Sequence, residues 1–272
     1  MAEIIKIYSL SDPRLEVYSN LNEAKLCNFV GFENGLFIAE SPLVIGRALD
    51  AGYEPVSILI EDKEIETCGK DLIERCTGIP VFTASSDVLA GITGYKLTRG
   101  MLCAMKRKVL PAVTDILDNS EKIAVLDNVM NPTNVGAIFR SAAALGMDAV
   151  ILTSGSSDPL YRRSVRVSMG NVFLISWTVC NTDSSLLIKL LREKNFVSAA
   201  LALTDNSISL LDERVKGAAK IALFLGSEGE GLPEKTISSC DYTIKIPMFY
   251  DVDSLNVSAA SAVAFWELGK SK

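Results

Sequence analysis

The sequence predicts an α/β protein of two domains, and three observations carry that reading. The 272 residues exceed the commonest single-domain size. Short apolar runs recur along the chain with helix-length segments between them, an alternation that favours parallel strands covered on both faces. A polar stretch, Thr114–Lys122, follows Lys106-Arg107-Lys108 and Pro111 and interrupts the alternation near its middle. The boundary is placed there, with a first domain over 1–112 and a second over 113–272.

In the first domain Leu36–Ala39 reads as a buried strand and Val56–Ile60 as the next. Between them Ser41 is expected to cap a helix over Pro42–Ala51, with Pro42 at the first helical position. A helix over Asp71–Cys76, a strand over Pro80–Thr83 and a short helix after Ser85 complete a βαβ-like module. In the second domain strands are expected over Ile123–Leu126, Ala149–Leu152, Leu174–Thr178, Val197–Leu203, Ile221–Leu225 and Tyr242–Ile246. The last helix, Ser254–Leu268, is rich in Ser and Ala. Ordinary core packing and close approach of another backbone account for that equally well.

Composition removes several chemistries. There is no histidine, which excludes Ser/His/Asp and Cys/His nucleophilic sites and takes away the commonest transition-metal ligand. None of the six cysteines forms a CxxC pair, so no zinc spacing exists and they read as reduced core residues. No metal is expected. The Met1–Lys6 start lacks a basic segment followed by a long apolar run, and even Ala142–Leu152 is broken by Asp148. Neither a signal peptide nor a membrane span is expected, which points to the cytoplasm. A formal charge of −6 gives no overall basic footprint for nucleic acid, so any such contact must be local.

Three segments carry the chemistry. Leu225-Gly226-Ser227-Glu228-Gly229-Glu230-Gly231-Leu232 follows a strand, as a phosphate loop does. However, Leu232-Pro233 stands where Walker chemistry needs Lys and Ser/Thr, and the glycine order misses GxGxxG. Glu228 and Glu230 would repel phosphate. Such an acidic, backbone-rich loop suits a cationic ligand, while a plain tight turn with solvated carboxylates is the simpler alternative. Ile246-Pro247-Met248 closes a strand, and Ser254 is expected to cap the last helix with Asn256 and Ser258 on its first turns. Asn134-Val135-Gly136-Ala137-Ile138-Phe139-Arg140 opens a helix after Asp127-Asn128. Arg140 stands alone in an apolar helix and is either functional or paired with a carboxylate such as Asp127. Arg162, Arg163 and Arg166 place three cations in five positions of an acidic chain, the best local phosphate-binding candidate, with Lys106–Lys108 second.

In this order the three segments resemble the motifs of the SpoU/TrmH branch of the SPOUT methyltransferases, strongly over residues 122–268. The resemblance implies S-adenosyl-L-methionine as cofactor and methylation of a ribose 2′-hydroxyl in RNA, ribosomal or transfer. It implies a deep trefoil knot in the C-terminal SPOUT domain, a homodimer, and a ribosomal-protein-like substrate-binding domain in front. Carried over by position, Arg140, Asn134, Glu228, Ser254 and Asn256 are catalytic, and Gly226, Ile246, Ser254 and Leu255 bind the cofactor. Arg162, Arg163 and Arg166 contact RNA. Because a guanidinium keeps its protons at working pH, Arg140 is expected to clamp phosphate and developing charge rather than act as a base. The family often carries glycine two residues after the methionine of its third motif, where this chain has Phe249-Tyr250. A base N-methyltransferase of the wider SPOUT group, a silent RNA-binding relative and a nicotinamide-dependent dehydrogenase are the alternatives. Ser254-Leu255-Asn256-Val257 with Asn134, Gly136 and Arg140 favours ribose over base, the intact site residues disfavour a silent relative, and the glycine order disfavours the dehydrogenase.

Overall fold

The computed structural model describes residues 3–9, 11–19, 22–93, 100–250 and 252–270. The chain forms two compact units. The first runs to Val109 and takes in Leu160–Phe173; the second comprises Leu110–Pro159 and the chain from Leu174 onward.

The first unit holds β1 (Glu3–Lys6), α1 (Glu16–Ser19), α2 (Glu23–Cys27), β2 (Leu36–Glu40), α3 (Pro42–Asp50), β3 (Pro55–Glu61), α4 (Lys70–Arg75), β4 (Pro80–Ala84), α5 (Ser86–Thr93) and β5 (Met101–Lys106). Its sheet has the order β1-β4-β3-β5-β2. β1, β4 and β3 are parallel, and β5 runs antiparallel to both β3 and β2. The expected βαβ unit is therefore present but split, because β5 lies between its two strands. Nothing local marks β5 as a partner of β2, since that pairing joins residues about sixty positions apart and Lys106 belongs to a basic run. Ser41 does not cap α3: its φ is +85° and its side chain bonds no helix N–H. Its carbonyl instead accepts from the Ile45 N–H at 3.0 Å, and Pro42 starts the helix without needing a donor.

The second unit holds α6 (Val113–Asp118), β6 (Lys122–Leu126), α7 (Pro132–Ala144) and β7 (Ala149–Thr153). Then comes α8 (Arg162–Val167), in the segment that belongs to the first unit, where it packs beside β2. The second unit resumes with β8 (Ser176–Cys180), α9 (Ser184–Glu193), β9 (Val197–Leu201), β10 (Ile208–Ser209), α10 (Glu213–Lys216), β11 (Ile221–Leu225), α11 (Glu234–Ser239), β12 (Tyr242–Lys245) and α12 (Val257–Leu268). The segment expected to be a polar connector thus contains α6, whose Ile116 and Leu117 are buried in the unit's core. Strand β8 begins two residues later than expected, because Leu174 is exposed and Trp177 fills the buried position.

All strands of the second sheet are parallel, in the order β10-β12-β9-β11-β6-β7-β8. β11 and β7 are buried at every position, as parallel strands under two helical layers are. Strand order reverses around β6 and β11, so the C-terminal ends of β9, β11 and β12 form a crevice of the kind that binds ligands in open parallel sheets.

Helix α12 packs along α7. Ala260, Ser261, Ala264 and Phe265 are its buried face, while Ala259, Val263 and Trp266 point outward. The small residues therefore serve core packing on one side and leave an apolar strip on the other. Beyond α12, the Lys270 N–H donates to the Gly146 carbonyl at 3.0 Å. Gly146 has φ +79°, and a Cβ there would meet the Lys270 carbonyl oxygen at 2.6 Å, so only glycine lets the chain end lie across the end of α7.

Candidate active site

The second motif forms a closed loop at the end of β11. The Ser227 N–H donates to the Gly231 carbonyl at 3.2 Å and the Gly231 N–H to the Ser227 carbonyl at 3.1 Å. Glu228, Gly229 and Glu230 project from this pinch, all exposed, while Gly226 and Leu232 are buried on either side. Gly226 is required by contact: a Cβ on it would stand 2.3 Å from the Gly231 carbonyl carbon and 2.4 Å from the Leu232 nitrogen.

The third motif runs from the end of β12 to α12 as an irregular, largely exposed segment. Asn256, not Ser254, caps the helix. Its Oδ1 accepts from the Ser258 N–H at 3.0 Å and from the Ser258 hydroxyl, and α12 begins at Val257. Ser254, two residues earlier, faces a cavity instead. The two positions carry equally good capping side chains, and the path of the loop from Pro247 decides between them.

That cavity has a volume of about 860 Å³, within the roughly 300–1,000 Å³ of small-molecule sites. Its floor is the C-terminal ends of β9, β11 and β12, through Leu201, Leu225 and Ile244. One wall is the 226–232 loop and the other is Ile246 to Met248 with Val252 to Val257 and Ala260. All four expected cofactor residues, Gly226, Ile246, Ser254 and Leu255, line it, as do Glu228 and Asn256. Leu201-Ala202-Leu203 also lines it and was not singled out from sequence. The signal available was the rule that ligands sit outside the carboxyl ends of parallel strands, but using it required the strand order.

The first motif is α7, capped by Asn131, whose Oδ1 accepts from the Thr133 N–H at 2.9 Å. Asn134 is 6% exposed and its Oδ1 accepts from the Asn256 Nδ2 at a long 3.4 Å, so the first and third motifs meet. Arg140 does not pair with Asp127. Buried Asp127 accepts from the Ser184 hydroxyl and the Thr236 hydroxyl, each at 2.9 Å, tying the starts of α9 and α11 to the end of β6. Arg140 is exposed, carries no hydrogen bond or ion pair among the described residues, and does not line the cavity of its own chain. A guanidinium left unpaired beside an apolar helix is available to an anion from outside.

The arginine run lies on α8 in the first unit. Arg162 Nε donates to the Glu40 carboxylate at 3.1 Å and Arg166 stands 3.9 Å from its other oxygen. Glu40 is 7% exposed, so these two cations neutralise a buried carboxylate at the end of β2. Arg163 faces solvent. In the second basic run Lys106 pairs with Glu54 at 2.7 Å, and Lys108 lies over the Tyr53 ring, 4.8 Å from its centroid. Of the two runs, Arg163 is the most open to a polyanion. Among the described residues no cluster of three or more metal-ligating side chains occurs, and no helix is long and apolar enough to cross a membrane.

Comparison with known proteins gives a consistent set of relatives. Residues 121–266 match the model of the SpoU rRNA Methylase family. An uncharacterised tRNA/rRNA methyltransferase of Mycobacterium tuberculosis is 36% identical, over 96% of this chain and 90% of that protein. The 23S rRNA (guanosine-2′-O-)-methyltransferase RlmB of Bordetella pertussis is 30% identical, over 82% of this chain and 92% of its own length. Among solved structures, an AdoMet-bound rRNA methyltransferase from Sinorhizobium meliloti superposes with a TM-score of 0.82 at 25% identity, covering 97% of each chain.

Proposed function

The chain belongs to the SpoU rRNA methylase family and is an S-adenosylmethionine-dependent RNA methyltransferase, and we propose that it methylates a ribose 2′-hydroxyl in ribosomal RNA. The observation that carries this reading is the cavity itself, which the second and third motifs build between them and which the first motif joins through Asn134 and Asn256. The 23S relative supports ribosomal over transfer RNA as substrate. A cytoplasmic location belongs to the same reading.

The residues present fit the cofactor. Apolar Leu225, Ile244, Ile246, Leu255 and Ala260 suit an adenine ring, and the exposed carboxylates of Glu228, Glu230 and Asp253 suit a cation while opposing a phosphate. Bound there, the cofactor supplies the methyl group on a positively charged sulfur. Gly226, Ile246, Ser254 and Leu255 hold it, largely through backbone. Asn256 fixes the start of α12 against Asn134, and Glu228 sets the charge at the rim. Arg140 clamps an RNA phosphate and stabilises negative charge on the ribose oxygen as its proton leaves.

Arg140 lies outside the cavity lining of its own chain, and the reading has the site completed in a homodimer. Support comes from the outward strip of α12, where Val263 is 42% and Trp266 77% exposed beside Ala259. Trp266→Glu is expected to convert a dimer into a monomer in light scattering and to lose methyl transfer with it. An active monomeric wild type would remove the dimer from the reading. Residues 1–112 are read as the RNA substrate-binding domain, with Arg163 as its open cation and Arg162 and Arg166 fixing α8 through Glu40; residues 113–272 are the methyltransferase domain. The deep trefoil knot is part of the same reading, supported by the late strand β11 entering between β9 and β6 and by the tie of Lys270 to Gly146.

Two measurements test the function. Calorimetry is expected to show binding of S-adenosylmethionine in metal-free buffer and none of NAD. Mapping of 2′-O-methyl sites in ribosomal RNA from cells with and without the gene is expected to reveal one position that depends on it. Unchanged ribose methylation together with a lost base methylation would move the assignment to a base N-methyltransferase.

A further inference from the structure

The segment between β12 and α12 carries an aromatic pair that neither the core nor the cavity uses. Phe249 is 82% and Tyr250 97% exposed, with ring centroids 6.4 Å apart and planes tilted by 51°. Scattered exposed apolar residues are ordinary, but these are not scattered. Met248, Val252, Leu255 and Leu203 are each at least 36% exposed, and all four line the cavity. The pair thus follows directly on the lining residues Pro247 and Met248, at the cavity's mouth.

The backbone gives a second, independent sign. Tyr250 has φ +59°, the left-handed region that glycine adopts freely and tyrosine adopts at a cost. It stands two residues after Met248, where the family pattern often has glycine. The turn therefore needs no ring, and the ring is carried against the preference of the backbone, as at many functional positions.

The charge around the mouth identifies what such rings would hold. Glu228, Glu230 and Asp253 are exposed on the cavity rim and repel phosphates. RNA held beside them must be held by the faces of its bases, and unpaired bases stack readily on aromatic side chains. Resting on the RNA-methyltransferase reading above, we infer that Phe249 and Tyr250 form a stacking platform for an unpaired RNA base beside the nucleotide presented to the cavity. The enzyme then selects single-stranded or loop RNA at this point, without reading sequence through phosphate contacts.

The test uses the full-length protein saturated with S-adenosylhomocysteine, with a short fluorescein-labelled single-stranded RNA and the same RNA annealed to its complement. Phe249→Ala and Tyr250→Gly are each expected to weaken binding of the single strand about 10-fold, the double variant more, with duplex binding unchanged. Phe249→Trp retains affinity. The slope of log affinity against log salt stays the same, because no phosphate contact is removed. S-adenosylhomocysteine affinity by calorimetry also stays the same, and Tyr250→Gly melts no lower than wild type. A double variant that binds single strands like wild type overturns the inference. So does loss of the dimer in light scattering, which would make the rings a subunit contact, or a drop in cofactor affinity, which would make them part of the cofactor loop. Wild-type protein that binds neither probe would instead overturn the functional reading itself.

Discussion

Arg140→Ala is expected to lower single-turnover methyl transfer about 100-fold or more, the usual cost of removing a donor aimed at developing negative charge. Cofactor affinity should stay near wild type, because Arg140 does not line the cavity. Thermal stability should also hold. Arg140 is exposed and has no ion-pair partner among the described residues, and surface replacements of that kind change stability by only about 0.5 kcal/mol. Arg140→Lys should recover little, since a point charge does not reproduce the planar fork that grips phosphate. A folded Arg140→Ala protein that transfers methyl at nearly the wild-type rate, with RNA saturating, would place the catalytic centre elsewhere.

Gly226→Ala should act at a different step. The new Cβ would meet the Gly231 carbonyl carbon at 2.3 Å and the Leu232 nitrogen at 2.4 Å. Both are backbone atoms, so no side chain can rotate aside, and the loop must open at the Ser227–Gly231 pinch. Displacing a binding wall by about 1 Å costs on the order of 100-fold, and calorimetry should show that loss in affinity for S-adenosylmethionine. Overpacking of this kind costs about 1–3 kcal/mol, so the melting temperature should fall as well. Gly229→Ala is the control, because a Cβ there meets nothing within 4 Å. It should bind the cofactor like wild type. Equal affinity in Gly226→Ala and Gly229→Ala would show that the pinch does not shape the cavity.

Much of the second unit was legible in the sequence because its strands are buried on both faces. Ile221–Leu225 and Ala149–Thr153 read as unbroken apolar runs, a pattern that exposed or half-exposed segments do not produce. The cofactor positions were legible for a different reason. Gly226, Ile246, Ser254 and Leu255 sit in short motifs whose spacing is dictated by one local turn each, and the cavity lining contains all four. Short-range geometry of this kind is written in consecutive residues.

Where distant residues decide, the chain alone was silent or pointed to the wrong neighbour. β5 was not visible as the strand that splits β2 from β3, because strand pairing depends on contacts that no local pattern records. Ser254 and Asn256 have equal capping chemistry, and only the path of the loop over the cavity gave the cap to Asn256. Asp127 offered itself as a partner for Arg140, yet two hydroxyls on α9 and α11 claim its carboxylate. Arg162 and Arg166 looked like a phosphate site until buried Glu40, more than 120 residues earlier, appeared beside them.

The amino-acid sequence by itself determined the fold class, the family and the identity of the ligand-binding loops, since each follows from periodicity or from residue types at fixed short spacing. Tertiary structure alone decided which charges are neutralised and which remain open. The energy of a charge depends on what faces it and how much water surrounds it, and both are properties of the folded surface. Arg140 and Arg162 are the same residue in the sequence; one is exposed and unpaired and the other is held by a buried carboxylate.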